Sequence, residues 1–267
     1  MTYATSTRLI RSFVVVLAGL CLVLGTMSAV AQNRPDQNAD KDPLLSEDDI
    51  ALMQVYEVDL QSDPPPRIVI PRDKLRDFLK EFQEDDRIPR GKQLQDKWLR
   101  EDGYKQLDLL FKLKARDYYK HVRIRSQIDS LRDWSNIHRR YILGYIQPNF
   151  GEGAVEGLYL FPRGRETDRI EMTNLFILTQ VAIGGKPMID RNVPEDSLLV
   201  QWGLPRESAK FPAPADIKGW EPKFKSTDDE RFVEHVDWIK SLIAANQDSN
   251  YGIDYKMPKH SKPTNAQ

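Results

Sequence analysis

The sequence predicts a mainly α-helical protein in which a small α+β segment precedes a helical domain. Apolar residues recur three, four and seven positions apart in several stretches, as on the buried face of an amphipathic helix. The stretches that alternate like strands are short, and prolines flank the clearest of them. A chain of 267 residues with 40% hydrophobic content has room for one large or two small domains.

Charge limits the classes of partner. The chain carries 40 acidic residues against 39 Lys and Arg, so it has no global electrostatic field of one sign. Proteins that bind nucleic acid concentrate positive charge against the phosphates, and this composition shows no such excess. The sequence therefore predicts no nucleic-acid partner.

Residues 1–31 have the three parts of a secretory signal peptide. Arg8 and Arg11 precede an apolar run from Phe13 to Leu24, and Ala29-Val30-Ala31 supplies a small-residue cleavage site. The alternative is an uncleaved membrane anchor, but this run is shorter than the ~20 residues that span a bilayer. We therefore expect cleavage after Ala31, a periplasmic or secreted location and no stable membrane span in the mature chain.

Cys21 is the only cysteine of the chain, and it lies within the apolar run. The mature chain would then contain no thiol, which excludes disulfides, a cysteine-ligated zinc site, a cysteine nucleophile and thioether-linked haem. Metal-binding motifs of the H-E-x-x-H or EF-hand type are also missing from the sequence, so no metal site is predicted.

The amino-terminal half divides into a polar linker at 32–45 and an α+β or helical segment at 46–130. Ser46 followed by Asp49 is a capping pair for a short helical turn. The further elements predicted here are a strand around Tyr56, Val58 and Leu60, an extended piece at Ile68–Ile70, a helix after Pro71 with Leu75, Phe78, Leu79 and Phe82 on one face, and a helical region at 92–121 that Gly103 divides.

The carboxyl-terminal half is predicted to form a helical domain at 131–245, followed by a flexible tail at 246–267. Its predicted elements are a helix at Asp129–Tyr145, a glycine loop, a strand at Leu158–Phe161, a helix carrying Met172 to Ile183 that Gly184-Gly185 stops, a helix from Pro194 to Trp202, a proline-rich loop and a last helix that opens with the capping box Thr227-x-x-Glu230.

Two groups of motifs carry a resemblance to a known family. The stretch I-D-R-N-V-P-E-D-S-L-L-V-Q-W-G-L-P, the proline loop and D-W-I-K-S-L in the last helix resemble the cytochrome-c-like domains of planctomycete-type secreted proteins. The stretches P-P-P-R-I-V-I-P-R and F-K-L-K-A-R-D-Y-Y resemble the segment that precedes such domains. The resemblance implies a small α+β segment followed by a cytochrome-c-like helical domain.

The haem-attachment motif C-x-x-C-H of that family is missing where the resemblance places it. Residues Ile146 to Gly157 contain neither Cys nor His, and the loop at Phe211–Pro214 offers no His or Met as a second ligand. The resemblance therefore implies a degenerate, haem-less domain. Apolar residues such as Phe150, Val155 and Phe211 are expected to fill the space, because an empty cavity lowers stability.

His138 leaves one haem hypothesis open. It lies on the apolar face of the predicted helix, and opposite Met188 it could hold haem without a covalent bond, as in an electron-transfer protein. A single histidine on a core-facing stripe is more often a hydrogen-bonded packing residue. His235, between Glu234 and Asp237, is interpreted as solvent-exposed and not catalytic.

The sequence assigns no catalytic residue. Glu152 and Glu156 are the nearest approach to a catalytic carboxylate pair, but a glycine-rich loop fixes no separation between them. We therefore expect an exported, non-catalytic structural or binding component of the cell envelope that has no cofactor. Its partner would be an envelope protein or a small ligand. The alternative is an electron-transfer protein that binds haem through His138.

Overall fold

A computed structural model describes residues 44–151, 154–242 and 250–258 of the chain. These residues belong to one compact unit. The predicted signal peptide at 1–31 and nearly all of the linker at 32–45 lie outside the described residues.

The described part of the chain is mainly helical, as predicted. Its α-helices are α1 (Glu47–Glu57), α2 (Arg72–Glu81), α3 (Lys92–Trp98), α4 (Gly103–Lys112), α5 (Asp129–Ile137), α6 (Gln147–Phe150), α7 (Thr167–Gln180), α8 (Leu198–Gln201) and α9 (Glu230–Ser241). Other helical turns are the 3₁₀ segments Arg116–His121 and Pro194–Asp196 and the π-helix His138–Ile146. The strands β1 (Ile68–Val69) and β2 (Arg123–Ile124) pair antiparallel, as do β3 (Ala182–Ile183) and β4 (Lys186–Pro187).

Helix α1 is longer than the capping pair predicted. Ser46 Oγ accepts from Asp49 N at 3.1 Å, and the Asp49 carboxylate accepts from Ser46 N at 3.0 Å, which forms a complete capping box. The strand predicted around Tyr56 is wrong, because Tyr56 lies within α1. Met53, Val55 and Tyr56 are all buried, so this helix packs on more than one face and does not show a simple helical stripe.

The central part of the amino-terminal half agrees with the sequence. Helix α2 buries Leu75, Phe78 and Leu79, the residues predicted from their spacing. The predicted break at Gly103 is confirmed, and there is also a packing reason for glycine there. A Cβ at this position would collide with the backbone oxygen of Ile68 in β1, so the start of α4 approaches the strand more closely than other residues allow.

Three predictions in the carboxyl-terminal half need correction. The segment Leu158–Phe161 forms no strand, because the side chain of Asn174 hydrogen-bonds the backbone N and O of Phe161 in place of a neighbouring strand. Gly184 and Gly185 do not simply end a helix. They have φ values of +57° and +77° and make the turn between β3 and β4, where such turns require positive φ.

The third correction concerns the cap of the last helix. Helix α9 begins at Glu230, and its N-cap is Asp229, whose carboxylate accepts from Arg231 N. Thr227 is therefore not the cap. The carboxylate of Asp229 also accepts from Lys225 N, so the loop before the helix already places an acceptor at its first turn.

The helix predicted at Asp129–Tyr145 is helical throughout but changes its winding. After α5 it continues as the π-helix, in which Gln147 N donates to the oxygen of Ile142, five residues earlier. The π-helix directs two phenols across the protein. Tyr141 Oη donates to Leu199 O at 2.7 Å, and Tyr145 Oη lies within hydrogen-bond distance of Trp202 O at 3.0 Å.

One apolar cluster extends through the described residues on both sides of position 130. Trp238 Nε1 in α9 also donates to Ser130 O at 3.0 Å. The division into segments at 46–130 and 131–245 stays a prediction. Within the predicted tail at 246–267, Tyr251 and Ile253 are buried, so this part of the tail packs on the protein. Among the described residues, no helix has the length and apolar character needed to cross a membrane.

The residues expected to fill the interior behave differently from one another. Phe150 is fully buried, and its ring centroid lies 4.8 Å from that of Trp202. Val155 is also buried. Phe211 is only half-buried, and the ammonium groups of Lys186 and Lys210 lie 4.6 and 5.3 Å from its ring centroid.

Candidate functional site

Two clefts flank the segment Ser126–Ile128, which connects β2 to α5. The first cleft, bounded by α1, α5 and the start of α7, has a volume of about 1160 Å³. The second cleft lies on the other side of the segment, against the prolines at 64–66 and the end of α9, and has a volume of about 700 Å³. Ligand sites commonly occupy roughly 300–1,000 Å³, so both clefts are large enough to receive a small molecule or a peptide segment.

Charged side chains of both signs line the first cleft in equal number. The basic ones are Arg123, Arg125, Arg132, Arg165 and Arg169, and the acidic ones are Glu47, Asp48, Glu166, Asp168 and Glu171. A cleft with this lining offers ion pairs to a ligand without favouring a single sign of charge.

Some of these charges already have partners within the protein. Arg123 pairs with Asp48 at 2.8 Å, and Arg169 pairs with Glu166. Arg169 also donates to the backbone oxygens of Leu44 and Leu45 at 3.2 and 2.8 Å, which fixes the chain where it enters α1.

Other charges of the first cleft are free. No hydrogen bond or ion pair of the Arg125 or Arg165 guanidinium is found within the described residues, and both side chains are exposed. The carboxylates of Glu47 and Asp168 are in the same situation. The wall of the first cleft therefore presents two cations and two anions that are available to a ligand.

Glu171 lies deeper in the first cleft than these groups. Its side chain is 16% exposed, and the hydroxyl of Ser135 on α5 donates to its Oε1. Trp134 Nε1 donates to the backbone oxygen of Glu171 at 3.1 Å, which joins α5 to α7. Burial raises the pKa of Glu171, and the hydrogen bond from Ser135 opposes that shift.

His138 lies behind Glu171 and is almost completely buried. Its Nε2 is 3.0 Å from Asn174 Nδ2, and the contacts of Asn174 with the backbone of Phe161 fix the orientation of that amide. Since Asn174 Nδ2 is the donor, Nε2 of the imidazole accepts and Nδ1 carries the hydrogen.

His138 and Glu171 do not form an ion pair. The imidazole Nδ1 lies 3.9 Å from Glu171 Oε2, at the limit of an ionic contact. Burial lowers the pKa of His138 to about 4, and the charge of Arg163 acts in the same direction. Because burial also raises the pKa of Glu171, both groups shift toward their neutral forms, which opposes an ionic contact between them.

The arrangement of Ser135, Glu171 and His138 differs from a serine hydrolase triad. In such a triad the imidazole accepts the serine proton and a carboxylate orients the imidazole. Here the serine hydroxyl donates to the carboxylate, and the accepting nitrogen of the imidazole is bonded to Asn174. The three side chains therefore connect α5 to α7 and do not form a Ser–His pair.

The two residues of the haem hypothesis are both buried. Met188 has no exposed surface, and its backbone N donates to Val181 O while its oxygen accepts from Leu199 N. Neither His138 nor Met188 lines the first or the second cleft. For His138 Nε2 to bind iron, it would have to release Asn174. The haem hypothesis stays a prediction.

The second cleft is formed by the start of α5, the proline segment and the end of α9. Its acidic side chains are Glu57, Asp59, Asp63 and Asp129, and its basic side chains are Arg67 and Lys240. The prolines 64–66 form one wall, and the peptide bond between Asp63 and Pro64 is cis. Ser130 also lines this cleft and is buried.

Glu57 connects the second cleft to a buried charged cluster. Its carboxylate is fully buried and pairs with Arg191 at 2.8 Å, while Tyr251 Oη donates to the same oxygen at 2.8 Å. Arg191 also donates to the Tyr251 hydroxyl. Burial raises the pKa of Tyr251 far above its ordinary value. The cluster links α1, the loop before α8 and the segment 250–258.

The sequence misplaced or missed several of these residues. His235 is 7% exposed, not solvated, because its ring packs at 4.6 Å from that of Tyr141 while Nδ1 contacts the oxygen of Arg231. Asn174 gave a usable signal, since it is a polar residue directly before the apolar run Leu175–Leu178 of α7. Ser130 and Arg191 gave none. Within the described ranges, no group of three or more His, Cys, Asp or Glu side chains is placed to hold a metal ion.

Comparisons with known proteins do not place the chain in a family. No protein-family model matches it, and searches of curated proteins and of solved structures found no match.

Proposed function

We propose that the protein is an exported, non-catalytic binding component of the cell envelope and that the first cleft receives a charged segment of a partner protein. The observation that carries this proposal is the set of free charges on the wall of that cleft. Arg125 and Arg165 stand free alongside Glu47 and Asp168. Free charges of both signs select a partner by complementarity and accelerate its association.

The size and lining of the first cleft favour a peptide segment over a small apolar ligand. Its volume of about 1160 Å³ slightly exceeds the usual range for small-molecule sites, and ten of its 21 lining residues are charged. An apolar ligand would desolvate these charges without replacing their contacts with water. A segment that carries both Asp or Glu and Lys or Arg would replace them.

A binding role is also favoured over catalysis by the chemistry at the base of the cleft. Glu171 accepts from Ser135, and His138 bonds to Asn174, so these side chains already satisfy one another. A cytochrome-c-like origin for residues 131–245 is part of the same proposal, and it is supported by the sequence motifs at 189–205 and 237–242.

The proposal is tested by capture from envelope extract with charge-reversed variants. Arg125→Glu combined with Arg165→Glu reverses the free cations of the first cleft. We expect the unchanged protein to capture at least one envelope protein, and the double variant to lose it, because the partner's acidic groups would now be repelled. Capture is carried out at low and at raised ionic strength, and the captured proteins are identified by mass spectrometry.

The matched control is Arg140→Glu, which reverses an exposed arginine of the π-helix that does not line the first cleft. This variant should capture the same protein as the unchanged chain. Equal capture by the double variant, or no capture by any form, would contradict the proposal. Cell fractionation tests the export that the amino-terminal pattern predicts, and a wholly cytoplasmic protein would contradict that part.

The electron-transfer alternative is separated by an absorption spectrum. Protein purified from haem-supplied cells should show no Soret band if the proposal holds. A Soret band that disappears in His138→Ala would favour haem binding through His138 instead.

A further inference from the structure

Among the described residues, the hydroxyl of Ser130 has no hydrogen-bond partner, although it is buried in the wall of the second cleft. The residue is 5% exposed, and its Oγ makes no hydrogen bond among the described residues. Buried hydroxyls in proteins are nearly always bonded, because an unpaired one loses its contacts with water. Side chains of a helix lean toward its amino terminus, so the Ser130 side chain leans toward the end of α5 that lines the cleft.

Backbone N–H groups at the start of α5 also have no acceptor among the described residues. Helix α5 begins at Asp129 without a side-chain cap, and its first backbone hydrogen bond runs from Arg132 N to Ile128 O. The N–H groups of residues 129–131 have no acceptor within the described part of the chain. The start of α5 therefore carries backbone N–H donors and one hydroxyl that could donate hydrogen bonds to the oxygen atoms of a ligand.

The rest of the second cleft offers hydrogen-bond acceptors as well as donors. Glu57 is buried and paired with Arg191, and of the two basic side chains Lys240 already pairs with Glu195 at 3.0 Å, so the cleft offers a free anion little positive charge. The carboxylate of Asp63 has no partner within the described residues, whereas that of Asp129 pairs with Arg132 at 2.7 Å. A metal ion is also disfavoured, because these carboxylates do not converge as a group of three.

A hydroxyl group is the chemical group that satisfies both sides, because it donates one hydrogen bond and accepts others. Pro64 and Pro65 add exposed ring faces that can contact the C–H face of a sugar ring. We propose that the second cleft binds a neutral, polyhydroxylated ligand of the carbohydrate class, with Ser130 and the start of α5 on one side and Asp63 on the other. The proposed function concerns the first cleft, so the two proposals stand or fall separately.

The test is a titration of the purified protein with neutral oligosaccharides, followed by amide NMR. The probes are maltotetraose, cellotetraose and chitotetraose, with sodium phosphate as the anionic comparison. We expect at least one oligosaccharide to shift the amide signals of residues 129–131, and phosphate to leave them unchanged. Asp63→Ala removes the acceptor on the opposite wall and should lower the affinity for that oligosaccharide.

The decisive variant is Ser130→Ala. It removes a hydroxyl that makes no hydrogen bond within the described part of the chain, so the melting temperature should stay the same while affinity for the oligosaccharide falls about fivefold. Ser135→Ala is the matched control, because it removes a hydroxyl from the same helix that faces Glu171 in the first cleft. Its affinity for the oligosaccharide should equal that of the unchanged protein.

Three outcomes would overturn the inference. The first is that no oligosaccharide shifts the amide signals of residues 129–131. The second is that Ser130→Ala binds the oligosaccharide as tightly as the unchanged protein. The third is that phosphate shifts the same amide signals and displaces the sugar. None of these results bears on capture by the first cleft, so failure here and failure of the proposed function can be told apart.

Discussion

Two buried polar clusters in this protein bury carboxyl groups by different means. The ionic cluster consists of Glu57, Arg191 and Tyr251, and it surrounds a fully buried carboxylate with a guanidinium and a phenol. The neutral cluster consists of His138, Glu171 and Asn174, and no cation among the described residues is bonded to Glu171. Where Arg191 is present the charge is compensated, and where it is missing both titratable groups shift toward neutrality.

The comparison shows that burial alone does not determine charge. The decisive difference is a basic group within hydrogen-bond distance, because desolvation disfavours an ionised carboxyl unless another charge compensates it. The stability that the ionic cluster contributes should therefore depend on Arg191. The stability that the neutral cluster contributes should depend on pH.

The largest expected effect comes from removing the cation of the ionic cluster. Arg191→Met should lower the free energy of unfolding by about 3–5 kcal/mol, because it removes the guanidinium that pairs with the buried Glu57 carboxylate. Urea denaturation followed by circular dichroism measures the change. The double variant Glu57→Gln with Arg191→Met should recover part of the loss. If it is no more stable than Arg191→Met, the cost does not arise from an uncompensated charge.

The neutral cluster should make stability depend on acidity. The pKa of His138 is about 4 in the folded protein against 6.5 for a free imidazole, so the unfolded chain binds a proton first as pH falls. Stability from this residue is complete above pH 6.5, falls between pH 6.5 and about 4, and then levels off, for a loss of about 3 kcal/mol.

The measurement compares urea midpoints of the unchanged protein and His138→Gln across that pH range. The glutamine variant keeps an acceptor for Asn174 but cannot titrate, so its slope should be smaller. Parallel slopes would contradict the assignment to His138, because His235, whose pKa burial also lowers, would remain as the source.

A third substitution, at Glu171, should raise stability where the previous ones lower it. Burial raises the pKa of Glu171. Above that pKa the buried carboxylate is ionised and lowers the stability of the fold, whereas the protonated carboxyl group does not. Glu171→Gln should therefore stabilise the protein near pH 8 by about 0.5–2 kcal/mol, the usual size of a single stabilising change. The gain should shrink at pH 4, and a gain independent of pH would point to packing instead.

The smallest expected loss of stability comes from an exposed polar contact, which serves as a reference for the buried ones. Ser46→Ala removes the cap of α1 and should lower the free energy of unfolding by about 1 kcal/mol at every pH. Ser46→Asp keeps a capping oxygen and should retain most of that stability. An alanine effect as large as that of Arg191→Met would show that burial does not distinguish these clusters.

The sequence predicted those elements whose signal is local. The stripe in α2 and the break at Gly103 follow from helical spacing and from glycine, and both are confirmed. The strand at Leu158–Phe161 could not be judged from its own residues, because an extended segment becomes a strand only if another strand pairs with it. Here the side chain of Asn174 takes that place.

The candidate site was less accessible from sequence than the fold. The roles of Ser130, Glu171 and Arg191 depend on burial and on partners that lie far away in the chain, such as Glu57 for Arg191. His138 was open to both a haem role and a packing role, and its bond to Asn174 arises only when α7 packs beside the π-helix. Periodicity detects the face of a helix but not the residue that it meets.

The π-helix makes this part of the chain sensitive to insertions and deletions. Tyr141 and Tyr145 reach the carbonyls of Leu199 in α8 and Trp202 at its end because four residues make nearly one full turn of a π-helix, which places both phenols on one face. Loss of one residue would let the segment rewind as an ordinary α-helix and rotate the later residues by about 100°, which would carry the second phenol away from its acceptors. Evolution of this stretch should therefore proceed through substitutions at constant length.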